Sequence, residues 1–381
     1  MVSFSLFLVS LDASLCMTRW PALKRIGVKE FWISWLEGLM LPILSVALGV
    51  LAFGLFAWFG GYSPVQVWAL LFKGAFGDAF SWQNSLQRAA PLILTGLCVA
   101  IPAQAGLIVI GGEGALVVGG LACAALPVFV NVPGGLLGTA EILLASFLAG
   151  GAWISLVGLM RQFKGVNETI SSLLMSYIAI NLFKFVVEDL MRDPASLNKP
   201  STKPLADSLL IGGMWGYDVH WGLLWGLVLC VLAYLWLSLS THGFATRVVG
   251  GNPKAAQLVG LPVNTLVVVA CALGGGCAGL AGGIQVAAVH TAANASLIEG
   301  LGYTGILVSF VARHQPLALI PVAILLGGFG AAGSMLQRHL GLPDASVHVL
   351  LGLVLVITLA SEAFRGRLGV AILKREAVSV V

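Results

Sequence analysis

The chain has 381 residues, of which 59% are hydrophobic and only 9% are charged, and its formal net charge is +4. A soluble globular domain carries about 25% charged residues, so this composition excludes one. A hydrocarbon core about 30 Å thick needs about 20 consecutive apolar residues per helix, and the chain holds about ten such runs. These runs lack the alternation of a membrane β-barrel. The sequence therefore predicts an all-α polytopic membrane protein with about ten transmembrane helices, and the small net charge indicates no nucleic-acid partner.

The apolar runs and the basic residues together predict the topology. An even number of spans puts both termini on one side, and a cytoplasmic location for them leaves most Lys and Arg in the cytoplasm. We therefore predict a cytoplasmic N-terminal segment at 1–37, a transmembrane domain at 38–363 and a cytoplasmic tail at 364–381. The sequence leaves open whether translation begins at Met1 or Met17. The predicted spans are 38–60, 88–104, 107–130, 137–160, 168–187, 221–240, 264–289, 300–312, 317–335 and 345–363.

Two polar segments are longer than simple connections require. The segment 188–220, predicted to be external, contains three Xaa-Pro pairs, which favour extended chain. In the cytoplasmic segment 241–262, Asn252 and Pro253 are typical of a helix start, and Gly260 is typical of a helix end. This pattern predicts a short surface helix that docks a partner, with an ordinary solvated loop as the alternative.

Glu113 is the single formal charge between residues 89 and 130. An ionisable group at membrane depth costs about 2.5–3.5 kcal/mol on insertion scales, so such residues tend to have a specific role. We predict that Glu113 either lines a translocation path or holds a packed helix junction, bonded by Gln104 or by backbone amides. The alternative is a purely structural carboxyl group.

Glycine spacing makes two further predictions. Gly275, Gly279 and Gly283 lie four residues apart in an apolar run, a pattern that lets two helix backbones approach closely. The segments 111–127 and 302–321 each begin with glycines, continue apolar and meet a proline. They lie five spans apart, and an odd separation makes them antiparallel, which predicts an inverted repeat.

No pattern in the chain points to covalent chemistry. The cysteines and histidines lack the spacing of a metal site, so we predict none. The chain contains no Gly-Lys-Ser or Gly-Lys-Thr phosphate loop, so an ATP-driven process would need another subunit to bind the nucleotide. A nucleophile and base placed for catalysis are also not recognisable, and we predict a protein that is not an enzyme.

Four segments occur in a characteristic order: 104–114 (QAGLIVIGGEG), 164–179 (KGVNETISSLLMSYIA), 243–256 (GFATRVVGGNPKAA) and 299–306 (EGLGYTGI). Together they resemble the permease subunits of bacterial ABC importers for nucleosides and simple sugars, and the resemblance covers about residues 38–363. Val109, Ala115 and Ser176 replace amide side chains of the family's usual motifs. Either a different solute is carried, or these positions do not contact it.

The resemblance implies a ten-helix permease of the bacterial plasma membrane that pairs with itself or with a sister permease. It also implies two cytoplasmic ATPase subunits or domains and an extracytoplasmic binding protein or lipoprotein that delivers the solute. ATP and Mg would bind to the ATPase, with no cofactor on this chain. The family's coupling helix lies in the matching loop, so we assign ATPase coupling to Arg247, Gly250, Gly251, Asn252, Pro253, Lys254, Ala255 and Ala256.

Polar residues of the apolar spans are the candidates for the translocation path. Each has the alternative role of a hydrogen bond between packed helices. Two other functions stay open: a branched-chain amino acid or urea permease of the same class, and a secondary transporter or channel that works without an ATPase. The path candidates are Gln104, Glu113, Ser171, Ser172, Tyr177, Asn181, Gln285 and Thr304.

Overall fold

The computed structural model describes residues 28–362 apart from 197, 198 and 215, with side chains from residue 40 onward. The predicted tail 364–381 and most of the predicted N-terminal segment lie outside the described residues. The chain divides into two compact units. The smaller unit comprises 1–47 and 357–381, and in it the hydroxyl groups of Ser45 and Ser361 are hydrogen-bonded at 2.9 Å. The larger unit, 48–356, contains every site discussed below.

Helices account for nearly all of the regular structure in the described residues. π-helical turns at Val186–Leu190 and Gln285–His290 extend two of the helices, and short 3₁₀ turns occur at Asp207–Leu209 and Ala295–Leu297. The α-helices are α1 (Val28–Phe59), α2 (Pro64–Phe76), α3 (Ala79–Gln104), α4 (Gly112–Phe129), α5 (Leu136–Lys164), α6 (Glu168–Phe185), α7 (Gly222–Leu239), α8 (Thr241–Gly251), α9 (Pro253–Leu258), α10 (Val263–Ile284), α11 (Leu301–Val311), α12 (Pro316–Leu340) and α13 (Ala345–Glu362).

In the described part of the chain, nine helices are long and apolar enough to cross a membrane, which confirms the all-α polytopic prediction. The predicted span 300–312 is the short helix α11. Its 11 residues extend about 16 Å at about 1.5 Å per residue, roughly half of a hydrocarbon core. The predicted span at 88 begins earlier, at Ala79, because Asn84 and Gln87 made its first turns look like loop.

The helix contacts repeat in two halves of the larger unit. α5 packs along α10, and α12 packs along α3; α4 contacts α10, and α11 contacts α3. If α3 is exchanged with α10, α4 with α11 and α5 with α12, the α5–α10 contact becomes the α12–α3 contact. In the same way, the α4–α10 contact becomes the α11–α3 contact. Of the exchanged helices, α3 and α10 run in opposite directions, since α3 ends against Gly250, shortly before α10 begins. This packing agrees with the predicted inverted repeat.

The three predicted small-residue positions of α10 lie where helices meet, as expected. A Cβ atom placed on Gly279 would lie 2.2 Å from the carbonyl oxygen of Ser146 and 2.9 Å from the Cα of Gly150. Gly275 faces the carbonyl oxygen of Gly150 in the same way, at 2.5 Å. Gly283 packs on the side chain of Ser146. The prediction of close backbone packing is confirmed.

Candidate functional site

Two helices begin next to each other inside the bundle, and Glu113 joins them. Gly302, in the first turn of α11, packs on the start of α4: a Cβ atom there would lie 2.1 Å from the backbone nitrogen of Glu113. The carboxylate of Glu113 accepts hydrogen bonds from the backbone N–H of Gly300 at 2.9 Å and of Gly302 at 2.6 Å. Glu113 thus satisfies N–H groups that the start of α11 leaves without intrahelical partners.

This junction decides between the partners predicted for Glu113. Backbone amides bind its carboxylate, as one alternative proposed, whereas Gln104 donates instead to the backbone carbonyl of His314 at 3.0 Å. The Glu113 side chain is fully buried and lines none of the cavities described below. The structure therefore places it as the cap of α11, and its role in a translocation path stays a prediction.

Two polar cavities adjoin each other between α3, α10, α11, α12 and the start of α13. The first chamber, of about 330 Å³, is lined by Arg88, Glu299, Thr304, Asp344 and His348, with leucines on its apolar wall. The second chamber, of about 250 Å³, is lined by three amides, Asn84, Gln87 and Gln285, together with His290. Arg88 and Glu299 line both chambers, so they stand where the two meet.

The charged groups of the first chamber have no ionic partners in the part of the chain that the structure describes. Within the described residues, Arg88, Glu299 and Asp344 make no ion pair within 4 Å, and all three side chains are exposed to the cavity. Sequence reasoning missed them because the predicted spans begin at 88, 300 and 345, which puts Arg88 at a span end and leaves Glu299 and Asp344 outside the spans. The available signal was the run of polar residues before Ala89, which forms the first turns of a long helix.

A third cavity, of about 640 Å³, adjoins the second chamber through Asn84 and Gln87 and is also lined by Tyr217, Asp218 and His220. His220 is 3% exposed, and neither ring nitrogen has a hydrogen-bond partner among the described residues. Burial lowers the pKa of His220 below its ordinary value, against the opposite effect of the nearby Gln87 backbone. The imidazole is therefore neutral at pH 7 and presents one donor and one acceptor.

The structure divides the other predicted path residues into two groups. Gln285 and Thr304 line the chambers. The hydroxyl groups of Ser171 and Ser172 are used in hydrogen bonds: Ser171 donates to the Glu168 carbonyl, and Ser172 accepts from the backbone N–H of Ile110 at 3.0 Å. Ser171 thus bonds within its own helix and Ser172 joins α6 to the segment before α4, while their role in the path stays a prediction.

Tyr177 and Asn181 belong to a polar stripe on the outer surface of α6. Tyr177, Asn181, Lys184 and Glu188 recur at helical spacing and are all exposed. Asn181 donates to the carbonyl of Tyr177 at 2.8 Å, which leaves its amide oxygen open. A polar stripe on a membrane-spanning helix faces water or protein rather than lipid, because lipid cannot solvate it.

The predicted docking helix is present as α9, and α8 precedes it. Asn252 caps α9 by accepting hydrogen bonds from the backbone N–H groups of Lys254 and Ala255, both at 3.1 Å. Gly250 and Gly251 form the end of α8 and do not have positive φ values. Gly250 is required for a close approach, since a Cβ atom there would lie 2.2 Å from the carbonyl oxygen of Gln104.

The surface around α9 is apolar at its tip. Leu258 is 88% exposed and Val259 is 72% exposed, whereas Ala256 is buried against the rest of the chain. Arg247 and Lys254 are also exposed. The α8–α9 element therefore presents a projecting apolar tip beside basic side chains, and Gly250 attaches its base to the end of α3.

Comparison with known proteins gives consistent relatives. A family profile described as "Branched-chain amino acid transport system / permease component" matches residues 81–359. The guanosine ABC transporter permease NupP of Bacillus subtilis is 27% identical over 88% of this chain and 97% of its own length. The glucose ABC transporter permease TsgB13 of Haloferax volcanii is 29% identical over 88% of this chain and 90% of its own. The nucleoside ABC transporter permease NupB of Lactococcus lactis is 23% identical, covering 82% and 88% respectively.

Proposed function

We propose a solute and a set of partners for this chain, which belongs to the family described as "Branched-chain amino acid transport system / permease component". The chain is a multi-pass membrane permease of an ABC importer. We assign it nucleosides or simple sugars as solutes. The observation that carries this assignment is its similarity, over nearly the whole length of both chains, to permeases named for guanosine and glucose.

The α8–α9 element supports the assignment of two ATPase partners. The exposed Leu258 and Val259 would insert into a groove on each ATPase, and the exposed Arg247 and Lys254 would orient it. In this proposal the α8–α9 face and both termini lie in the cytoplasm of a cell whose plasma membrane holds the importer. ATP and Mg then bind to the ATPase subunits, and this chain carries no cofactor.

The polar stripe of α6 supports a second permease as a further partner. A second copy or a sister chain that packs beside α6 would enclose Tyr177, Asn181, Lys184 and Glu188 in a water-filled path between the two permeases. An extracytoplasmic binding protein or lipoprotein would deliver the solute to the face opposite α8–α9. ATP-driven movement of α9 would then change which end of the path is open.

Uptake measurements test the solute and the energy source together. Cells that contain the chain and its ATPase partners are expected to accumulate labelled guanosine or ribose, and an inactivated ATPase is expected to abolish this uptake. Cells without the chain provide the background. Uptake of leucine in place of guanosine and ribose would overturn the solute assignment, and uptake that continues with the inactive ATPase would overturn the proposed partnership.

Substitution at the tip of α9 tests the docking contact. Leu258→Asp places a charge on the apolar tip, so we expect at least a tenfold loss of ATPase copurification and uptake at background level. The conservative Leu258→Met keeps the apolar surface and should leave both unchanged. Because Leu258 is 88% exposed, neither change should lower the folded yield. Normal copurification of the Asp variant would place the ATPase contact elsewhere.

A further inference from the structure

The two chambers inside the larger unit carry more specific information about the solute than the family does. Their charged and amide side chains come from spanning helices and from the connections just before α11 and α13, and they face two adjoining cavities. Arg88, Glu299 and Asp344 have no ionic partner in the described part of the chain. A polar ligand can therefore supply the hydrogen bonds that these groups do not make within the protein.

The first chamber has the chemistry of a site for sugar hydroxyl groups. A carboxylate accepts O–H donors through its two oxygens, and a guanidinium donates through a fixed fork, so Glu299, Asp344 and Arg88 together match adjacent hydroxyls. Leu92, Leu301 and Leu326 form an apolar wall against which the C–H face of a sugar ring can lie.

The second chamber has a different composition. Asn84, Gln87 and Gln285 supply three amide groups, and an amide pairs with the donor and acceptor edge of a nucleobase. The side chain of Gln285 is largely buried, at 7% exposure of the residue, and makes no hydrogen bond with any described residue. Its amide reaches the cavity, so a ligand there can supply the partner that the protein does not.

We propose that the adjoining chambers form a nucleoside site within each permease, with the ribose in the first chamber and the base in the second. The inference rests on the proposed function and makes it more specific, because a simple sugar or an amino acid would fill only the first chamber. Taken together, the adjoining volumes of about 330 Å³ and 250 Å³ lie in the range of small-molecule sites. Arg88 and Glu299, shared by both chambers, would contact the ligand where its two parts join.

The test measures binding to the purified importer complex in lipid nanodiscs with guanosine, 2′,3′-dideoxyguanosine and leucine as probes. Glu299→Gln is expected to weaken guanosine binding by about 10- to 100-fold, the usual effect of losing a charged hydrogen-bond partner. Dideoxyguanosine has no ribose diol, so it should bind the wild-type complex more weakly than guanosine does. Glu299→Gln should not weaken its binding further. Gln285→Leu should weaken both nucleosides by about tenfold, since both carry the same base.

Matched variants separate the site from general effects on folding. Glu141→Gln and Gln66→Leu change the same residue types at exposed positions outside the chambers and should leave all binding unchanged. Asn84→Ala, on α3, repeats the base-side test if Gln285→Leu reduces the folded yield. Leucine should not bind measurably to the wild-type complex or to any variant.

Several results would overturn the site. The first is a wild-type complex that does not bind guanosine, and the second is an unchanged affinity for guanosine in Glu299→Gln. The third is that Glu299→Gln weakens dideoxyguanosine binding as much as guanosine binding. The last is a wild-type complex that binds leucine and loses that binding in Arg88→Gln. The uptake measurement separates this proposal from the assigned function. If cells take up guanosine but the variants bind it as the wild type does, the proposed site is wrong and the assigned function stands. If the variants weaken guanosine binding but cells do not take guanosine up, the site stands and the assigned transport of nucleosides is wrong.

Discussion

Glu113→Leu is expected to destabilise the protein more than any other single change considered. The carboxylate is fully buried and accepts hydrogen bonds from the N–H groups of Gly300 and Gly302. Leucine has a similar size but no acceptor, so both donors would be left unsatisfied at about 1–3 kcal/mol each. We expect the free energy of unfolding to fall by about 2–6 kcal/mol. Thermal unfolding of the detergent-purified protein and its folded yield would measure this loss.

Glu113→Gln separates the cap from a role in the translocation path. Glutamine keeps one acceptor oxygen but turns an amide donor toward the second N–H group, so we expect an intermediate loss of stability. Glu141→Leu, at an exposed carboxylate of α5, controls for removal of a charge and should unfold like the wild type. If Glu113→Gln unfolded like the wild type but lost uptake, the path role would be correct and the cap would not explain this residue.

The class of the protein followed directly from composition, because a bilayer imposes one solution on long apolar runs. Hydrophobic segments of about 20 residues must be helices in lipid, since each backbone polar group needs a partner within its own segment. The lengths of individual helices were harder to predict from the sequence. The predicted span 300–312 agrees with the bounds of α11, but a helix of 11 residues is too short to cross a hydrocarbon core by itself. The residue at which a helix ends inside the bundle depends on contacts with other helices, and a hydropathy pattern carries no information about those contacts.

The site was predicted only where one residue was unusual in its own segment. Glu113 stood alone among apolar neighbours and was therefore identified, but its partners at Gly300 and Gly302 lie far along the chain and follow from the packing of α11 on α4. Arg88 was missed for the opposite reason. It follows other polar residues, and only the fold brings it beside Glu299 and Asp344 at one cavity. Chambers formed by distant segments need tertiary structure to be seen.

The glycine packing of α10 was predicted from spacing alone, and it supports a second strong prediction. Gly279→Ala should prevent normal packing of α10 on α5, because the new Cβ atom would lie 2.2 Å from the carbonyl oxygen of Ser146. The contact is with backbone, which cannot rotate away as a side chain can. On the other side of α10, Gly119 of α4 also packs on Gly279: a Cβ atom placed on Gly119 would lie 2.2 Å from the carbonyl oxygen of Gly279. α10 therefore has little room to shift.

We expect Gly279→Ala to lower the free energy of unfolding by about 3 kcal/mol, the upper part of the usual range for overpacked cores. Thermal unfolding in detergent measures the change, with Gly352→Ala as the matched control. Gly352 has open space around it in α13, and alanine is the better helix former, so the control should be neutral or slightly more stable. Similar unfolding of the two variants would mean that α5 and α10 separate easily. The two halves would then be held together mainly by the packing of α12 on α3 and of α4 on α10.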